Sequence, residues 1–295
     1  MLLAASGIEF FPLSPVAWAF GISLACSCAG VSGAFLLLPW QFSVLGHTAP
    51  GVSATNQIFN VLACPAGVWG YAREGRMLWP LARLIALGSL PGVLLGALAR
   101  ATIFSGVAQF RAFAACALLY LAWRLLKKGG GGGKVAAKQG SERAECRAEG
   151  PLLALAWRGE EWKAPKRGIF LASLLTGLVG GIYGIGGGAM LSPILASYYG
   201  LPLHLLAGAT LFGTFATSIF GLGSYLLFAW LMAMPELGPD WGLGLLLGLG
   251  GIMGMRLGAA LQKRLPASLL KRGLGVIILA TGLFYLGQSA GQWLG

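Results

Sequence analysis

Charged residues are scarce in this chain, and the scarcity excludes an ordinary soluble domain. Only 10% of the 295 residues are charged, whereas 57% are hydrophobic and the mean hydropathy is +0.76. A soluble globular domain carries about 25% charged residues. Too few charges are present to cover a water-facing surface, so we expect much of the apolar surface to face lipid.

Acidic residues are the rarest charged type, with 9 Asp and Glu against 21 Lys and Arg. None lies well inside a hydrophobic segment, although a cation site or a carboxylate proton relay in a membrane needs buried Asp or Glu. The sequence therefore favours an anionic or neutral substrate over a metal cation. The net charge of +12 does not indicate a nucleic-acid partner, because the basic residues lie mainly at segment ends and in one central loop, where topology-setting charges belong.

The sequence also lacks the common catalytic and cofactor motifs. It contains no H-E-x-x-H, Walker A or G-x-S-x-G pattern, and its two histidines, His47 and His204, do not make a metal site. We therefore expect no enzyme activity, cofactor or metal. The five cysteines are scattered and odd in number, which argues against a disulfide framework. Cys26 and Cys28 are either small packing residues or a thiol pair in a redox protein.

Eight hydrophobic segments predict an all-α integral membrane protein. The first and fifth are about 30 residues long, which exceeds the length of one straight crossing. Glycines followed by a proline interrupt both, so each is predicted to consist of two half-length helices around a re-entrant bend. The segments lie near residues 16–46, 53–71, 79–100, 104–126, 168–200, 204–233, 241–262 and 268–289.

A polar stretch between the fourth and fifth segments divides the chain. We assign residues 1–127 to a first membrane repeat, residues 128–165 to a Gly-rich and charged linker, and residues 166–295 to a second membrane repeat. The run Gly129–Gly133 predicts flexibility. Leu152–Trp162 is either a surface-lying amphipathic stretch or more linker.

The two halves share short matches in the same order, which indicates an internal repeat of the kind found in many secondary transporters. The matches are Gly30–Pro39 with Gly184–Pro193, Ala54–Asn56 with Ala209–Leu211, and Leu95–Ala97 with Leu257–Ala259. In the first half, Ser32 and Ala34 replace Gly186 and Gly188, so the first bend is expected to differ in geometry.

Loop charges predict that the halves are inverted. Arg73, Arg76, the linker, and the loop containing Lys263 and Arg264 are basic and belong in the cytoplasm by the positive-inside rule. Eight simple crossings would put the linker and the loop containing Lys263 and Arg264 on opposite sides of the membrane. The conflict disappears if the two long segments each enter and leave on one side. Both termini then lie outside, with Arg100 and Arg111 at the outer ends; Arg111 and Arg256 are expected to snorkel.

The Gly-rich bends are the best candidates for a substrate site. Irregular backbone at membrane depth persists where it is buried in protein or lines a cavity, and its free N–H groups, with the ends of half-helices, attract an anion. Asn56 and Asn60 are four residues apart on one helix face, and Thr210, Thr214, Thr217 and Ser218 follow similarly in the second half. The predicted substrate-binding residues are Ser32, Gly33, Thr55, Asn56, Gly186, Gly187, Gly188, Thr210 and Thr214.

The pattern Gly-x-Gly-Gly-Gly-x-x-x-x-Pro at Gly184–Pro193, its weaker copy at Gly30–Pro39 and the run Ala54–Asn56 resemble the sulfite exporter TauE/SafE (TSUP) family. The resemblance extends from about Val16 to Gly287. It implies a bacterial inner-membrane transporter that moves sulfite, an organosulfonate or a related anion, often outward. An inside-negative potential favours anion export by about 2.3 kcal/mol per charge per 100 mV, and proton coupling remains open, as does transport of a non-sulfur carboxylate.

Overall fold

The computed structural model describes residue 11 and residues 13–28, 32–126, 144–157, 159–188, 190–261 and 267–294. Helices dominate these residues. Five of the described helices precede the central polar stretch: α1 (Leu13–Cys28), α2 (Ala34–Ser43), α3 (Val52–Arg73), α4 (Trp79–Thr102) and α5 (Val107–Leu126). Five follow it: α6 (Lys166–Tyr183), α7 (Leu191–Tyr199), α8 (Leu203–Leu231), α9 (Trp241–Leu261) and α10 (Ala267–Leu294).

The two over-long hydrophobic segments are each broken, as predicted. The first is divided into α1 and α2, and the fifth into α6 and α7. Three stretches among the described residues are clearly long and apolar enough to cross a membrane: Trp79–Thr102, Leu205–Leu231 and Pro235–Gly258. Membrane crossing by all eight segments stays a prediction.

Columns of glycine let helices from the two halves approach closely. On α4, a methyl group added to Gly92 would overlap the carbonyl oxygen of Leu174 on α6, and one added to Gly96 would overlap that of Leu178. On α9, Gly250 and Gly254 meet the carbonyl oxygens of Val16 and Phe20 on α1 in the same way. Small residues four positions apart therefore form both contacts, which is the usual basis of close packing between membrane helices.

The order of these contacts gives the helix directions. Gly250, Gly254 and Gly258 of α9 meet α1 at successively higher residue numbers, so α1 and α9 are parallel. In the same way α4 is parallel to α6, α3 to α9, and α8 to α4. By contrast, Gly67 of α3 meets Leu211 and Gly208 of α8 meets Tyr71, so α3 and α8 are antiparallel.

Because α1 and α3 both run parallel to α9, the chain must reverse between them, and α2 makes this return. The same reasoning applies to α6 and α8, between which α7 returns. Each broken segment thus enters and leaves on one side of the helix layer. The packing is also reciprocal: α1 packs on α9 as α6 packs on α4, and α3 packs on α9 as α8 packs on α4.

The segment interpreted as a linker contains a three-stranded antiparallel sheet that the sequence analysis did not predict. Its strands are β1 (Glu145–Glu149), β2 (Leu152–Trp157) and β3 (Glu160–Pro165), in the order β1-β2-β3. Gly150 and Gly159, with φ of +53° and +79°, lie in the two turns. Leu153 and Leu155 are buried against the helical core. Leu152–Trp162 therefore contains β2 and the start of β3 rather than an irregular linker, and the Gly129–Gly133 run lies outside the described residues.

Candidate functional site

The first bend is tied to the polar face of α3. The hydroxyl group of Ser32 donates to Asn60 Oδ1 at 2.7 Å, and Asn56 Nδ2 donates to the carbonyl oxygen of Ala34 at 3.1 Å. Asn56 and Asn60 are both fully buried, so the prediction that they share one inward helix face is confirmed. Gly33, which caps α2, has a right-handed φ of −66°.

The second bend has a different backbone. Gly184 and Gly186 have φ of +79° and +73°, which L side chains rarely adopt. Gly188 packs so closely on α8 that an added methyl group would lie 2.7 Å from the amide nitrogen of Thr214. The first bend shows no such left-handed residue among its described members, Ser32 and Gly33. The predicted difference between the bends is therefore present.

Backbone N–H groups of the second bend remain available to an anion. The amide of Gly187 donates to Thr217 Oγ1 at 2.9 Å. The amides of Gly186 and Gly188 have no hydrogen-bond acceptor among the described residues. An unpaired N–H group away from water is costly, so two such groups in one bend form an arrangement that an anion would stabilise.

The two bends are joined through Asn60 of α3 and also contact each other directly. Asn60 accepts from Ser32 in the first bend and donates from Nδ2 to the carbonyl oxygen of Gly184 in the second, at 3.5 Å. Tyr183, at the end of α6, donates its hydroxyl to the carbonyl oxygen of Phe35 at 3.1 Å. The structure thus brings together the two Gly-rich stretches that the sequence places far apart. Asn60 belongs to the predicted polar stripe but is not among the predicted substrate-binding residues.

The predicted threonines use their hydroxyl protons within the protein. Thr55, Thr210 and Thr214 each donate to a backbone carbonyl one helical turn earlier, at 2.9–3.0 Å. Thr55 also accepts from the amide of Asp240 at 2.8 Å, which joins the start of α3 to the start of α9. In this arrangement the three hydroxyl groups have no second proton to donate to a ligand.

Arg100, at the end of α4, is a buried cation that the sequence analysis did not assign to the site. It is fully buried, and no described acidic side chain forms an ion pair with it. Its Nε donates to Ser53 Oγ at 3.4 Å, its Nη1 donates to the carbonyl oxygen of Phe104, and its guanidinium group lies 4.0 Å from the ring centre of Phe110. Nη2 has no hydrogen-bond partner among the described residues. A buried charge without a counter-ion is costly, and this one lies where an anion would offset the cost.

Ser53 connects Arg100 to the second bend. Its hydroxyl donates to the carbonyl oxygen of Ile182 at 3.0 Å, and its backbone lies against Gly184. An arginine near a segment end usually snorkels to water, and nothing in the sequence distinguishes Arg100 from such residues. Arg256, by comparison, is exposed, and its snorkelling stays a prediction.

His47 lies close to Arg100 in the loop between α2 and α3. Burial lowers its pKa to about 4; Asp240 opposes this shift and Arg100 adds to it. The side chain is 4% exposed. The imidazole is therefore neutral at physiological pH, so it adds no second cation beside Arg100.

Of the two cysteines in the thiol-pair alternative, the structure describes the side chain of Cys26 but not that of Cys28. Cys26 is buried in the hydrophobic core and is not in a disulfide, while the side chain of Cys28 lies outside the described residues. No group of three His, Cys, Asp or Glu side chains able to hold a metal occurs among the residues described.

Comparisons with known proteins give sequence matches along most of the chain. The family model described as "Sulfite exporter TauE/SafE" matches residues 16–285. A "Probable membrane transporter protein" of Xylella fastidiosa strain Temecula1 is 26% identical over 280 residues, covering 91% of this chain and 92% of the relative. One of the same description from strain 9a5c is 27% identical over 274 residues, covering 91% and 92%. No solved structure gives a significant match.

Proposed function

The chain belongs to the sulfite exporter TauE/SafE family of membrane transporters, and from this premise we propose that it exports a small sulfur-containing anion such as sulfite or an organosulfonate. The observation that carries the proposal is the meeting of two Gly-rich bends across α3, beside a fully buried Arg100 without a described acidic partner. This arrangement offers positive charge and unpaired N–H groups at membrane depth. Such groups bind an oxyanion well and a cation poorly.

The anion is held chiefly by the backbone in this proposal. The Gly186 and Gly188 amides donate to its oxygens from the second bend, where Gly187 permits close approach. Ser32 and Gly33 form the opposite wall, and Asn56 and Asn60 reach it from α3. Thr55, Thr210 and Thr214 keep the helices in register, and they bind the anion directly only if their own hydrogen bonds rearrange. Arg100 supplies long-range attraction from the outer end.

The two halves act as inverted repeats in this mechanism. The helix directions support this assignment, since α1, α3 and α9 run one way while α4, α6 and α8 run the other. The matched helices α1 and α6, α3 and α8, and α4 and α9 therefore run in opposite directions. Inverted repeats allow one half to rock against the other around a fixed central site, which alternates access without breaking a chemical bond.

The distribution of charged residues supports one orientation of the protein in the membrane. The ends of α3 and α5 and the starts of α4 and α6 fall on one face by the helix directions, and that face carries Arg73, Arg76, Arg83 and Lys166. The opposite face carries Glu236 and Asp240. By the positive-inside rule, the basic face and the sheet β1–β3 are cytoplasmic in the inner membrane, and both termini are outside.

Anion flux in proteoliposomes tests the proposal. Purified protein is reconstituted, and uptake of sulfite, thiosulfate, sulfoacetate and an acetate control is measured with an imposed membrane potential or a pH gradient. We expect saturable flux of a sulfur anion that increases when the potential drives anions across. The double variant Asn56→Ala/Thr210→Ala should lower the flux, while Ser224→Ala, on the same helix as Thr210, should not. Flux of acetate alone would indicate a carboxylate substrate. An absence of flux from folded protein would overturn the transport proposal.

A further inference from the structure

Three polar side chains beside the second bend are buried without hydrogen-bond partners. Gln57, Ser89 and Ser218 are each fully buried. Both amide atoms of Gln57 and the hydroxyl oxygens of Ser89 and Ser218 have no partner among the described residues. Most buried polar groups are paired, and at membrane depth no bulk water is available to pair them. Three unpaired groups in one region therefore indicate a ligand that pairs them.

These side chains come from three helices and converge on the bend. A methyl group added to Gly187 would lie 2.6 Å from Ser89 Oγ on α4, and one added to Gly186 would lie 2.9 Å from Ser218 Oγ on α8. One turn further along α8, Gly221 lies against Gln57 Nε2 of α3, with 2.7 Å to an added methyl group. Ser89 and Ser218 thus border the backbone whose Gly186 and Gly188 amides lack acceptors among the described residues, and Gln57 lies against α8 one helical turn beyond Ser218.

The hydrogen-bonding character of Gln57 restricts the ligand. Its Nε2 donates, whereas its Oε1 only accepts, and because both atoms are unpaired the restriction holds for either orientation of the amide. An anion with acceptor oxygens alone can pair the backbone amides, the serine hydroxyls and Nε2. It leaves Oε1 unpaired. A ligand that also carries an O–H group pairs every one of these atoms.

We propose that Gln57, Ser89 and Ser218 form a specificity subsite that selects a sulfur oxyanion bearing a hydroxyl group, either a hydroxyalkanesulfonate or the protonated form of an oxyanion. The inference rests on the proposed transport function and deepens it by defining the substrate class. A protonated oxyanion also carries one charge fewer than its conjugate base. That difference lowers the cost of taking the ligand out of water.

Matched sulfonates test the subsite. Isethionate and ethanesulfonate have the same charge and nearly the same size, but only isethionate has a hydroxyl group. We expect the wild-type protein to transport isethionate about tenfold faster or more, since a site built to bond a hydroxyl rejects the analogue that lacks it. Gln57→Met, which keeps the side-chain length and removes both polar atoms, should bring the flux ratio close to one. Ser224→Ala, whose hydroxyl donates to Phe220 O, is the matched control and should keep the wild-type ratio.

Further measurements decide the remaining cases. If Gln57→Met does not fold, Ser89→Ala and Ser218→Ala should each lower the ratio several-fold. If neither sulfonate is transported but sulfite is, sulfite flux should rise as pH falls toward the hydrogen sulfite form. Equal transport of both sulfonates, an unchanged ratio in Gln57→Met, or sulfite flux that rises with pH would overturn the subsite and leave the transporter proposal intact. An absence of flux for every sulfur anion would instead defeat the transport function and the subsite with it.

Discussion

At the scale of single residues, Arg100 is notable because its charge is fully buried without a described acidic partner. The guanidinium group is held by Ser53, by the carbonyl oxygen of Phe104 and by the ring of Phe110, none of which carries a charge that neutralises it. The hydroxyls of the predicted threonines are already engaged, whereas Arg100 and the Gly186 and Gly188 amides are not fully paired. The donors for an anion are thus mainly a cation and the backbone.

Replacing Arg100 tests its role in attracting the anion. Arg100→Gln removes the charge while keeping a donor, and we expect transport to fall about tenfold or more, because a buried donor to a charged ligand contributes roughly 1.5–3 kcal/mol. Arg100→Lys should retain part of the activity, since the charge remains but the planar guanidinium is lost. Arg256→Gln at an exposed site is the matched control. Wild-type flux in Arg100→Gln, from protein shown to be folded, would remove Arg100 from the path.

Because His47 is buried and neutral, we expect the folded protein to lose stability in acid. Its folded pKa is about 4, below the ordinary value of 6.5, so above pH 6.5 both folded and unfolded forms are neutral and this group does not affect stability. As the pH falls from 6.5 toward 4, the unfolded chain binds a proton that the folded protein excludes, and the free energy of unfolding decreases. Thermal unfolding in detergent at pH 7.5 and pH 5 should show this loss. His47→Gln should show a smaller difference between the two pH values.

At the scale of elements, the broken helices could be predicted and the sheet could not. Glycines followed by a proline inside a segment too long for one crossing are a specific signal, and both breaks occur there. The strands were missed because β2 is a short apolar run, LLALAW, between charged residues, which periodicity alone does not distinguish from an amphipathic stretch. The turn residues Gly150 and Gly159 were the readable signal, since each flanks a run of strand length.

Alanine substitutions at two glycines distinguish the effect of backbone strain from the effect of close packing at the second bend. Gly184 and Gly200 end α6 and α7 in the left-handed conformation, with φ of +79° and +64°. An alanine at either position adds about 1–2 kcal/mol of strain. At Gly184 its methyl group would also lie 2.7 Å from Ser53 Cα, whereas nothing lies within 4 Å at Gly200. Gly184→Ala should therefore lower the melting temperature and the flux well beyond Gly200→Ala, and equal effects would contradict the close packing of the bend against α3.

At the scale of the whole molecule, the sequence does not predict which helices pack against each other, although it does predict how the loop charges are arranged. Loop charges predicted which ends share a face, and the helix directions are compatible with that prediction. The contacts of α1 with α9 and of α4 with α6 depend on which glycine columns face each other, and glycines are spread over most segments of this 48-glycine chain. Asn60 and Arg100 were not assigned for a related reason, because their partners Ser32, Gly184 and Ser53 come from other segments.

Cysteine labelling in whole cells tests the orientation of the molecule. In a cysteine-free background, Glu236→Cys should react with an impermeant maleimide added to intact cells, because the loop before α9 is expected outside. Glu145→Cys, at the start of β1, should react only after the cells are permeabilised. The reverse pattern would invert the topology, and equal labelling of both in intact cells would contradict a single orientation.

The reciprocal packing of α1 on α9 and of α6 on α4 has a consequence for how such a chain could have arisen. A shorter gene encoding only one half would produce a protein whose first helix lacks the partner that its glycine-lined neighbour requires. Two copies of that product, inserted into the membrane in opposite senses, would supply each other with the missing surface. Fusion of the two copies would then fix one copy in each sense and leave their sequences free to diverge. On the proposal that the halves are such copies, Ser32 and Ala34 are positions that diverged from Gly186 and Gly188.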